Sequence, residues 1–429
     1  MVSAGPGAAE AESVLEHIEP GTDLIVPLAV GEPRTLLDVV EAAADAGAID
    51  GVRVHQMHAL VDRGYLDGRY GDRLRHISYF LSAVTRPHFH AGGVELVPGH
   101  FSEVPHLLRH SVRRPLILAA SSLPDRHGYV SLGTNADYVA RFLGTWPVFL
   151  EANARMPRTF GHNTVHLSQV AGWCHVDRPL IEVEPAVPDD TDRAIAALIA
   201  ERIPDRATIQ AGIGSIPNAV LSALRGHRDL GVHTELLSDG FVDLIEAGVI
   251  NGVFKGRHPN RSVTTFALGT RRLYDFLDGN PAVEFLGVDW VNDPRVIAQE
   301  PRMVSINATT EVDLLGQCAS ETIRGRYWSG SGGQADFARG AMFSEDGHGF
   351  IVTRSTTRDG TSRIVDRLTP GSVVTTIKNT VDKVVTEWGV AELRGASLGE
   401  RCVRLIRIAH PEHRERLRAE AHALGYLHG

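Results

Sequence analysis

A glutamate stands at the end of a predicted strand within the stretch Ala207–Gly248. The run Thr208–Gln210 predicts a short strand, Gly212-Ile213-Gly214 predicts a tight loop after it, and Gly231–Thr234 predicts a second strand that delivers Glu235. Rigid elements on both sides would fix such a side chain while its head group stays reachable. A carboxylate with an ordinary pKa near ~4.3 is ionised at neutral pH, so Glu235 could attack a thioester without a partner base.

Other nucleophiles have weaker sequence contexts. The chain has no GxSxG elbow, and its cysteines carry no catalytic signature; they are Cys174, Cys318 and Cys402. Two further glutamates, Glu311 and Glu387, are rivals of Glu235 as the reactive carboxylate. Capping and ion pairing are the commoner roles of a glutamate, and they remain open for all three.

Amphipathic helices flank the predicted strands around Glu235. Apolar residues recur on one face of Ile216–Leu224, where Pro217 suits the first turn and Gly226 suits the end of a helix. A second helix is predicted from Phe241 and ends at Gly248. The stretch therefore predicts a strand, loop, helix and strand unit of an α/β fold.

Strands and helices also alternate along the rest of the chain. This alternation predicts a mostly parallel sheet covered on both faces. The predicted strands include Val52–His55, Leu74–Phe80, Pro115–Ala120, Pro179–Val183, Val283–Val291 and Met303–Ile306. The predicted helices include one that begins near Thr35, Val104–His110, Thr191–Ile203 and helices within His410–Leu427.

A stiff acidic segment divides the chain. Residues 185–190 read PAVPDD, which is typical of a short linker before the helix that begins at Thr191. The length of 429 residues suits two domains of ordinary size. We therefore predict an N-terminal α/β domain over residues 1–186 and a C-terminal α/β domain over residues 187–429 that carries Glu235.

Several long motifs of the chain resemble those of a known family. The stretches GIGSIPNAV (212–220) and LGVHTELLSDGFVDLIEAG (230–248) resemble the acetyl-CoA hydrolase/transferase family, the class I CoA-transferases that include the 4-hydroxybutyrate, butyrate and acetate CoA-transferases. FLEANARMPRTFG (149–161), GSGGQADF (330–337) and VDKVVTEWGVAELRG (381–395) are similar to further signatures of that family. The resemblance covers nearly the whole chain. It implies two open, mostly parallel α/β domains with the active site in the cleft between them.

The resemblance also implies a reaction. A CoA-transferase moves coenzyme A between a short-chain acyl-CoA and a free carboxylate of the acetate, butyrate or 4-hydroxybutyrate type. Glu235 matches the family's nucleophile, which forms an acyl-glutamyl anhydride and then a glutamyl-CoA thioester in a ping-pong mechanism. Coenzyme A is then a substrate, and no tightly bound cofactor is expected.

Roles for further residues follow from the same motifs. The Asn292 side-chain amide and the Gly333 N–H match the donors for each tetrahedral oxyanion. Gly332, beside Gly333 in the glycine loop, is expected to contact the substrate or CoA. Gly212, Ile213 and Gly214 match the loop that holds the CoA arm near its thiol end. From the residues alone, Asn292 could equally cap the turn before Asp-Pro, and it is not distinguished from Asn307.

Arg158 is the candidate for binding the acceptor acid. Its guanidinium fork suits a carboxylate, and it lies in a family-like stretch. A surface ion pair is the more common role for such an arginine, and that alternative stays open.

Three other functions compete with CoA transfer. An acyl-CoA hydrolase would use the same glutamate with water as the final acceptor. Nicotinamide binding at Gly212-Ile213-Gly214 is disfavoured because the third glycine of the fingerprint is absent and Pro217 lies in the loop. A metabolite-binding module without catalysis would lack thioester turnover altogether.

Composition limits the partners. A net charge of -9 argues against nucleic acid, and the chain has no apolar run long enough to span a bilayer, so we predict a cytoplasmic enzyme without a membrane partner. The pairs His88/His90 and His162/His166 lack a third ligand, so no metal is expected. We expect a homodimer or a higher homo-oligomer.

Overall fold

Short strands and helices alternate through the structure, a computed structural model that describes residues 5–428. The strands are β1 Asp23–Ile25, β2 Val52–Gln56, β3 Leu74–Ser78, β4 Val94–Leu96, β5 Pro115–Ser121, β6 Tyr129–Ser131, β7 Val148–Asn153, β8 Phe160–Gly161, β9 Thr164–His166, β10 Gly172–Val176, β11 Thr208–Ala211, β12 Gly231–Leu237, β13 Ser262–Ala267, β14 Val283–Phe285, β15 Met303–Ala308, β16 Glu311–Asp313, β17 Cys318–Ala319, β18 Thr322–Ile323, β19 Arg326–Tyr327, β20 His348–Val352, β21 Ile364–Val365, β22 Lys383–Thr386 and β23 Gly389–Glu392.

The α-helices are α1 Arg34–Asp45, α2 Thr85–Ala91, α3 Val104–Ser111, α4 Asp190–Ala200, α5 Ser215–Ala223, α6 Asp239–Glu246, α7 Arg271–Leu277, α8 Val288–Val291, α9 Pro294–Ile297, α10 Gln334–Phe343, α11 Leu398–Ile408 and α12 Pro411–Ala423. Short 3₁₀ helices cover Ala11–His17, Ala29–Gly31, Gly64–Asp67, Gly71–Arg73, Phe101–Glu103, Ala140–Phe142, Leu167–Gln169 and Leu224–Gly226. Within residues 5–428, none of these helices combines the length and the apolar character that a membrane span requires.

The chain forms two compact units. The first contains the chain up to Glu184 together with Val263–Val291, and the second contains Pro185–Ser262 together with the chain from Asn292 onward. The predicted boundary between residues 186 and 187 lies two residues beyond the end of the first segment. The units differ from that division because residues 263–291 pack with the first unit, and a linear sequence pattern does not reveal such a return of the chain.

The first unit is built on a parallel sheet. Its strand order is β10-β7-β5-β1-β2-β3-β4, and every neighbouring pair is parallel. The central strand β1 is buried along its whole length, with Leu24 opposite Val54 on one side and Leu116 on the other. Burial on both faces explains why these strands read as short apolar runs without alternation.

The second unit carries a sheet of the same kind. Its strand order is β23-β22-β20-β15-β11-β12, with parallel neighbours except for the antiparallel edge pair β22–β23. Helices α4 and α5 pack against each other beside this sheet. The predicted α/β class with mostly parallel sheets is therefore confirmed. In such a sheet, ligands bind beyond the carboxyl ends of the strands, where β11, β12 and β20 end.

Two predicted strands differ from the structure. Pro179–Val183 forms no strand. In this segment the Val183 N–H donates a hydrogen bond to the Gly269 carbonyl. Val283–Val291 is a strand only as far as Phe285, and Val288–Val291 is helical. Both errors have one physical cause, because a short apolar run does not distinguish a strand from a buried helix or an extended segment.

Candidate active site

Glu235 lies near the carboxyl end of β12 in the second unit. Six of the seven residues of this strand are buried, and Glu235 is the partly accessible one. The strand runs three residues further than the predicted Gly231–Thr234, because Glu235 is part of it and Leu236 and Leu237 continue its buried pattern. Glu235 is therefore held by strand pairing while its side chain is reachable.

Two donors converge on the Glu235 carboxylate. The Asn292 side-chain amide donates to Glu235 Oε2 at 2.9 Å, and the backbone N–H of Gly333 also donates to this carboxylate. Helix α10 begins at the next residue, Gln334. The carboxylate thus sits at the positive end of a helix, where negative charge is stabilised.

Gly333 is required by space rather than by backbone conformation. Its φ of -99° is open to any residue. A Cβ atom built at this position would lie 2.0 Å from Glu235 Oε2 and 2.3 Å from Asn292 Nδ2. Any side chain would therefore displace the carboxylate or its donor. The preceding Gly332 instead has a positive φ of 55°, which favours glycine.

Burial changes the acidity of Glu235. Loss of water raises the pKa of its carboxyl group to about 7, although the hydrogen bonds from Asn292 and Gly333 oppose this rise. The structure therefore differs from the ordinary pKa that the residue type alone led us to expect. Near neutral pH the protonated and ionised forms of Glu235 therefore coexist. The ionised form is more basic than the carboxylate of a solvent-exposed glutamate.

The Gly212-Ile213-Gly214 loop connects β11 to α5. Gly214 has a φ of 134° immediately before the helix, and Ile213 exposes 60% of its surface. Asn307, the alternative to Asn292, exchanges two side-chain hydrogen bonds with Gln210, at 3.1 and 3.0 Å. Asn292 is thus the asparagine that contacts Glu235, and Asn307 supports the strand below the loop.

The rival glutamates have partners of their own. Glu311 accepts hydrogen bonds from the Thr369 N–H at 3.0 Å and from the hydroxyls of Thr369 and Ser372 at 2.8 and 2.7 Å. Glu387 accepts from the Ser355 N–H at 2.9 Å and from the Ser355 hydroxyl. Both carboxylates therefore accept hydrogen bonds from loop residues. This is a structural role, the alternative considered for them in the sequence.

Arg158 belongs to the first unit and makes local contacts. Its guanidinium donates to the carbonyls of Leu123 and Tyr129, at 2.7 and 3.1 Å, and lies 3.5 Å from an oxygen of Asp125. The ion pair weighed as the alternative is therefore present. The role of Arg158 in binding an acceptor stays a prediction.

A buried charged cluster beneath β12 was not predicted. Lys255 Nζ donates to the carbonyl of Val232 at 2.7 Å and lies 3.7 Å from Glu300 Oε1, which is 3.6 Å from His233 Nδ1. Burial alone would raise the pKa of Glu300, but His233 and Lys255 outweigh it and lower that pKa. The cluster anchors the strand two residues before Glu235. The sequence signal for this cluster was Lys255 itself, which follows the apolar pair Val253 and Phe254.

The described residues contain no group of three or more His, Cys, Asp or Glu side chains arranged to hold a metal ion.

Comparisons with known proteins agree with this fold and show the family of the chain. Family models described as the N-terminal and C-terminal domains of acetyl-CoA hydrolase/transferase match residues 8–188 and 269–421. The chain is 42% identical over 417 residues to a succinyl-CoA:cyclohexane-1-carboxylate CoA transferase of Geobacter metallireducens, with 96% of this chain and 94% of that protein covered.

A second relative and a solved structure extend the comparison. The chain is 40% identical over 414 residues to a 4-hydroxybutyrate coenzyme A transferase of Clostridium kluyveri, and the aligned residues cover 96% of both proteins. The crystal structure of RipA from Yersinia pestis has a TM-score of 0.92 at 35% identity, over 98% of both chains. The chain therefore belongs to the acetyl-CoA hydrolase/transferase family, and it is an enzyme of the CoA-transferase type.

Proposed function

We propose that this enzyme moves coenzyme A between a short-chain acyl-CoA and a free carboxylate, with Glu235 as the covalent nucleophile. One observation carries the proposal: the Asn292 amide and the Gly333 N–H converge on a single carboxylate at the start of α10. The donors to Glu311 and Glu387 lie in loops, whereas the Gly333 N–H lies at the start of α10, where negative charge is stabilised. The names of the two relatives, both CoA transferases, support the same reaction.

The first half of the reaction forms a thioester on the enzyme. A Glu235 oxygen attacks the acyl-CoA carbonyl, the carbon–sulfur bond breaks, and CoA leaves as the thiolate with an acyl-glutamyl anhydride behind it. The thiolate then attacks the glutamyl carbonyl carbon. The bond to the bridging oxygen breaks, and the acyl group departs as a free carboxylate.

The second half runs the same steps in reverse. An acceptor carboxylate attacks the glutamyl-CoA carbonyl and releases the CoA thiolate, which then attacks the acceptor's acyl carbon of the new anhydride. The glutamate leaves as a carboxylate, and a new acyl-CoA departs. No proton has to be stored at any step, so this mechanism needs no base beside Glu235.

The positions of the donors favour the steps centred on the glutamate. When thiolate or carboxylate attacks the glutamyl carbon, negative charge develops on an oxygen of Glu235 itself. In the resting enzyme Asn292 already donates to Oε2, and the Gly333 N–H donates to the same carboxylate. Preorganised donors of this kind contribute roughly 2.7–4 kcal/mol each in other enzymes.

Acyl-CoA hydrolysis is the second candidate, because the family description covers both activities. Water would then replace the acceptor acid in the attack on either covalent intermediate. Exclusion of water from the site decides between the two outcomes. Release of CoA without any added acid would favour the hydrolase.

The test of the nucleophile is chemical trapping. Glu235→Ala should abolish exchange between acyl-CoA and a free carboxylate, while the exposed Glu246→Ala in the following helix should keep full activity. Borohydride added after acyl-CoA should reduce the thioester on the peptide that contains Glu235, as seen by mass spectrometry. Full activity in Glu235→Ala, or an adduct only on the Glu311 or Glu387 peptide, would refute the assignment.

The substrates need a separate measurement. The relatives suggest a panel of acetate, butyrate, 4-hydroxybutyrate, succinate and cyclohexane-1-carboxylate as acceptors, each with acetyl-CoA, butyryl-CoA and succinyl-CoA as donors. The Gly212-Ile213-Gly214 loop is proposed to hold the CoA arm near its thiol, and Arg158→Gln tests the acceptor role. A homodimer and a cytoplasmic location stay predictions, to be checked by light scattering and by cell fractionation.

A further inference from the structure

Three separate segments of the second unit supply the candidate active site. Strand β12 carries Glu235, Asn292 lies two residues before the start of α9 at Pro294, and Gly333 immediately precedes α10. The two donors meet the carboxylate only while these segments keep a fixed relative position. Catalytic groups must be held within about 0.5 Å of their productive geometry. The contacts that hold the three segments together therefore bear on the rate of the reaction.

The buried carboxylate of Glu300 lies where these segments meet. Glu300 follows the end of α9 at Ile297 by three residues, and its Oε1 atom is 3.6 Å from Nδ1 of the buried His233. His233 precedes Glu235 by two residues on β12, and residues at this spacing share one face of a strand. The contact between Glu300 and His233 therefore joins the α9 segment to the strand that carries the nucleophile.

Glu300 and His233 also contact the helix that begins after Gly333. The Ser344 hydroxyl, which follows the last residue of α10, donates to the backbone carbonyl of Glu300 at 2.6 Å. Nearer the start of α10, the ring of Phe337 packs edge-on against the imidazole of His233, with the ring centroids 6.2 Å apart. The Phe337 N–H donates to the Gly333 carbonyl at 3.0 Å. The pair thus holds α10 near both of its ends.

Helices α9 and α10 are in close contact with each other. A Cβ atom built at Gly340 in α10 would lie 2.4 Å from the side chain of Ile297 in α9. Packed interiors transmit small displacements, because they contain little free space. A shift at Glu300 is therefore expected to reach both donors of Glu235.

Lys255 compensates the charge of Glu300. Its Nζ atom is 3.7 Å from Glu300 Oε1 and donates to the carbonyls of Val232 and Arg261, at 2.7 and 3.2 Å. The other carboxylate oxygen of Glu300 accepts from the Gly256 N–H at 2.8 Å. Burial opposes ionisation, but His233 and Lys255 lower the pKa of Glu300. At neutral pH the side chain is therefore an anion whose two oxygens are held by fixed partners.

We propose that Glu300 is a positioning residue for CoA transfer: through His233 and through α9 and α10, it holds Glu235 in place against the donors Asn292 and Gly333. This role rests on the proposed function and adds to it a residue that acts on geometry rather than on substrate. A buried ion cluster contributes little net stability, because desolvation of its charges offsets their attraction. We therefore expect its effect in the rate of the reaction more than in the stability of the fold.

The test separates positioning from folding. Glu300→Gln keeps the shape of the side chain and removes its charge, so kcat for CoA transfer should fall at least about tenfold. The dissociation constant of CoA, measured by calorimetry, should stay at the wild-type value. This variant leaves the Lys255 cation buried and unpaired, which lowers Tm. The double variant Glu300→Gln/Lys255→Met removes both charges, so Tm should recover while kcat stays low. Recovery of kcat together with Tm, or wild-type kcat in both variants, would overturn the proposal.

Asp382→Asn is the matched control. Asp382 is a buried carboxylate of the same unit and pairs with Lys383 at 2.7 Å, at the start of β22. Strand β22 is separated from β12 by β20, β15 and β11. Asp382→Asn should therefore lower Tm and leave kcat at the wild-type value. An equal loss of kcat in this variant and in Glu300→Gln would show that any broken ion pair in the unit slows the reaction, and would refute a special role for Glu300.

Crystal structures of the variants read the geometry without turnover. In the double variant, the 2.9 Å hydrogen bond from Asn292 to Glu235 should lengthen beyond hydrogen-bonding distance, and an unchanged bond would refute the positioning role. If neither Glu300 variant folds, His233→Phe removes the partner of Glu300, keeps a ring beside Phe337 and should show the same loss of kcat; wild-type kcat in it would overturn the proposal. Wild-type protein that transfers no CoA would refute the proposed function alone, because the distances still decide the role of Glu300.

Discussion

At the scale of single residues, Glu235 balances two opposing effects. Burial raises the pKa of its carboxyl group to about 7, and the donors from Asn292 and Gly333 keep that pKa from rising further. The mechanism needs the ionised form, and nucleophilicity grows with basicity. The pH dependence of the reaction therefore reports on this balance.

We expect kcat/KM to fall below about pH 7, by up to about tenfold for each further pH unit, because the protonated Glu235 cannot attack. Asn292→Ala removes a donor to the carboxylate, so it should move this acidic limb to higher pH as well as lower the rate. The control Asn251→Ala changes an exposed asparagine of the same unit and should leave the limb in place. A wild-type limb near the ordinary glutamate pKa of 4.5 would contradict the burial of this carboxylate.

Gly333 gives a second prediction at this scale. Gly333→Ala should lower kcat by at least ~10²-fold, because the new Cβ would lie 2.0 Å from Glu235 Oε2 and would displace the carboxylate from its donors. Gly349→Ala is the matched control, since its Cβ would meet its nearest neighbours at 3.6 Å. Steady-state kinetics with thermal melts of both variants separate lost catalysis from lost folding. Near-normal turnover in Gly333→Ala would show that the close packing is dispensable.

At the scale of elements, the loop between β11 and α5 depends on one backbone conformation. Gly214 has a φ of 134° just before the helix, which residues with a Cβ rarely adopt, whereas Gly226 after this helix has free space around it. We expect Gly214→Ala to cost about 1–3 kcal/mol of unfolding free energy and to raise KM for acyl-CoA. Gly226→Ala should change the unfolding free energy by less than about 1 kcal/mol. Denaturant unfolding and steady-state kinetics check both, and equal behaviour of the two variants would exclude a special role for the loop.

At the scale of the whole molecule, the covalent mechanism predicts the kinetic pattern. Double-reciprocal plots with acyl-CoA and acceptor acid varied should give parallel lines, because the first product leaves before the second substrate binds. Labelled acetate should enter acetyl-CoA with no second acid present, and Glu235→Gln should abolish this exchange. Intersecting lines without exchange would indicate a ternary complex and would exclude the glutamyl-CoA intermediate.

The class of fold and the candidate nucleophile were both predictable from the amino-acid sequence. Local patterns predicted the short buried strands and the amphipathic helices. The long motifs around Glu235 and Gly333 indicated the family. The sequence did not predict that Val263–Val291 packs with the first unit, or that Val288–Val291 is helical. Those outcomes depend on which segments become neighbours in space.

The hydrogen-bond partners and the pKa of the site residues depend on the tertiary structure. Asn292 lies 57 residues from Glu235 in the chain, and strand pairing and helix packing bring the two within 2.9 Å, while Asn307 bonds to Gln210 instead. The raised pKa of Glu235 arises from burial by residues distant in sequence. A residue's type fixes what chemistry it can perform, but its solvation and its partners, which set its acidity and its role, exist only once the chain has folded.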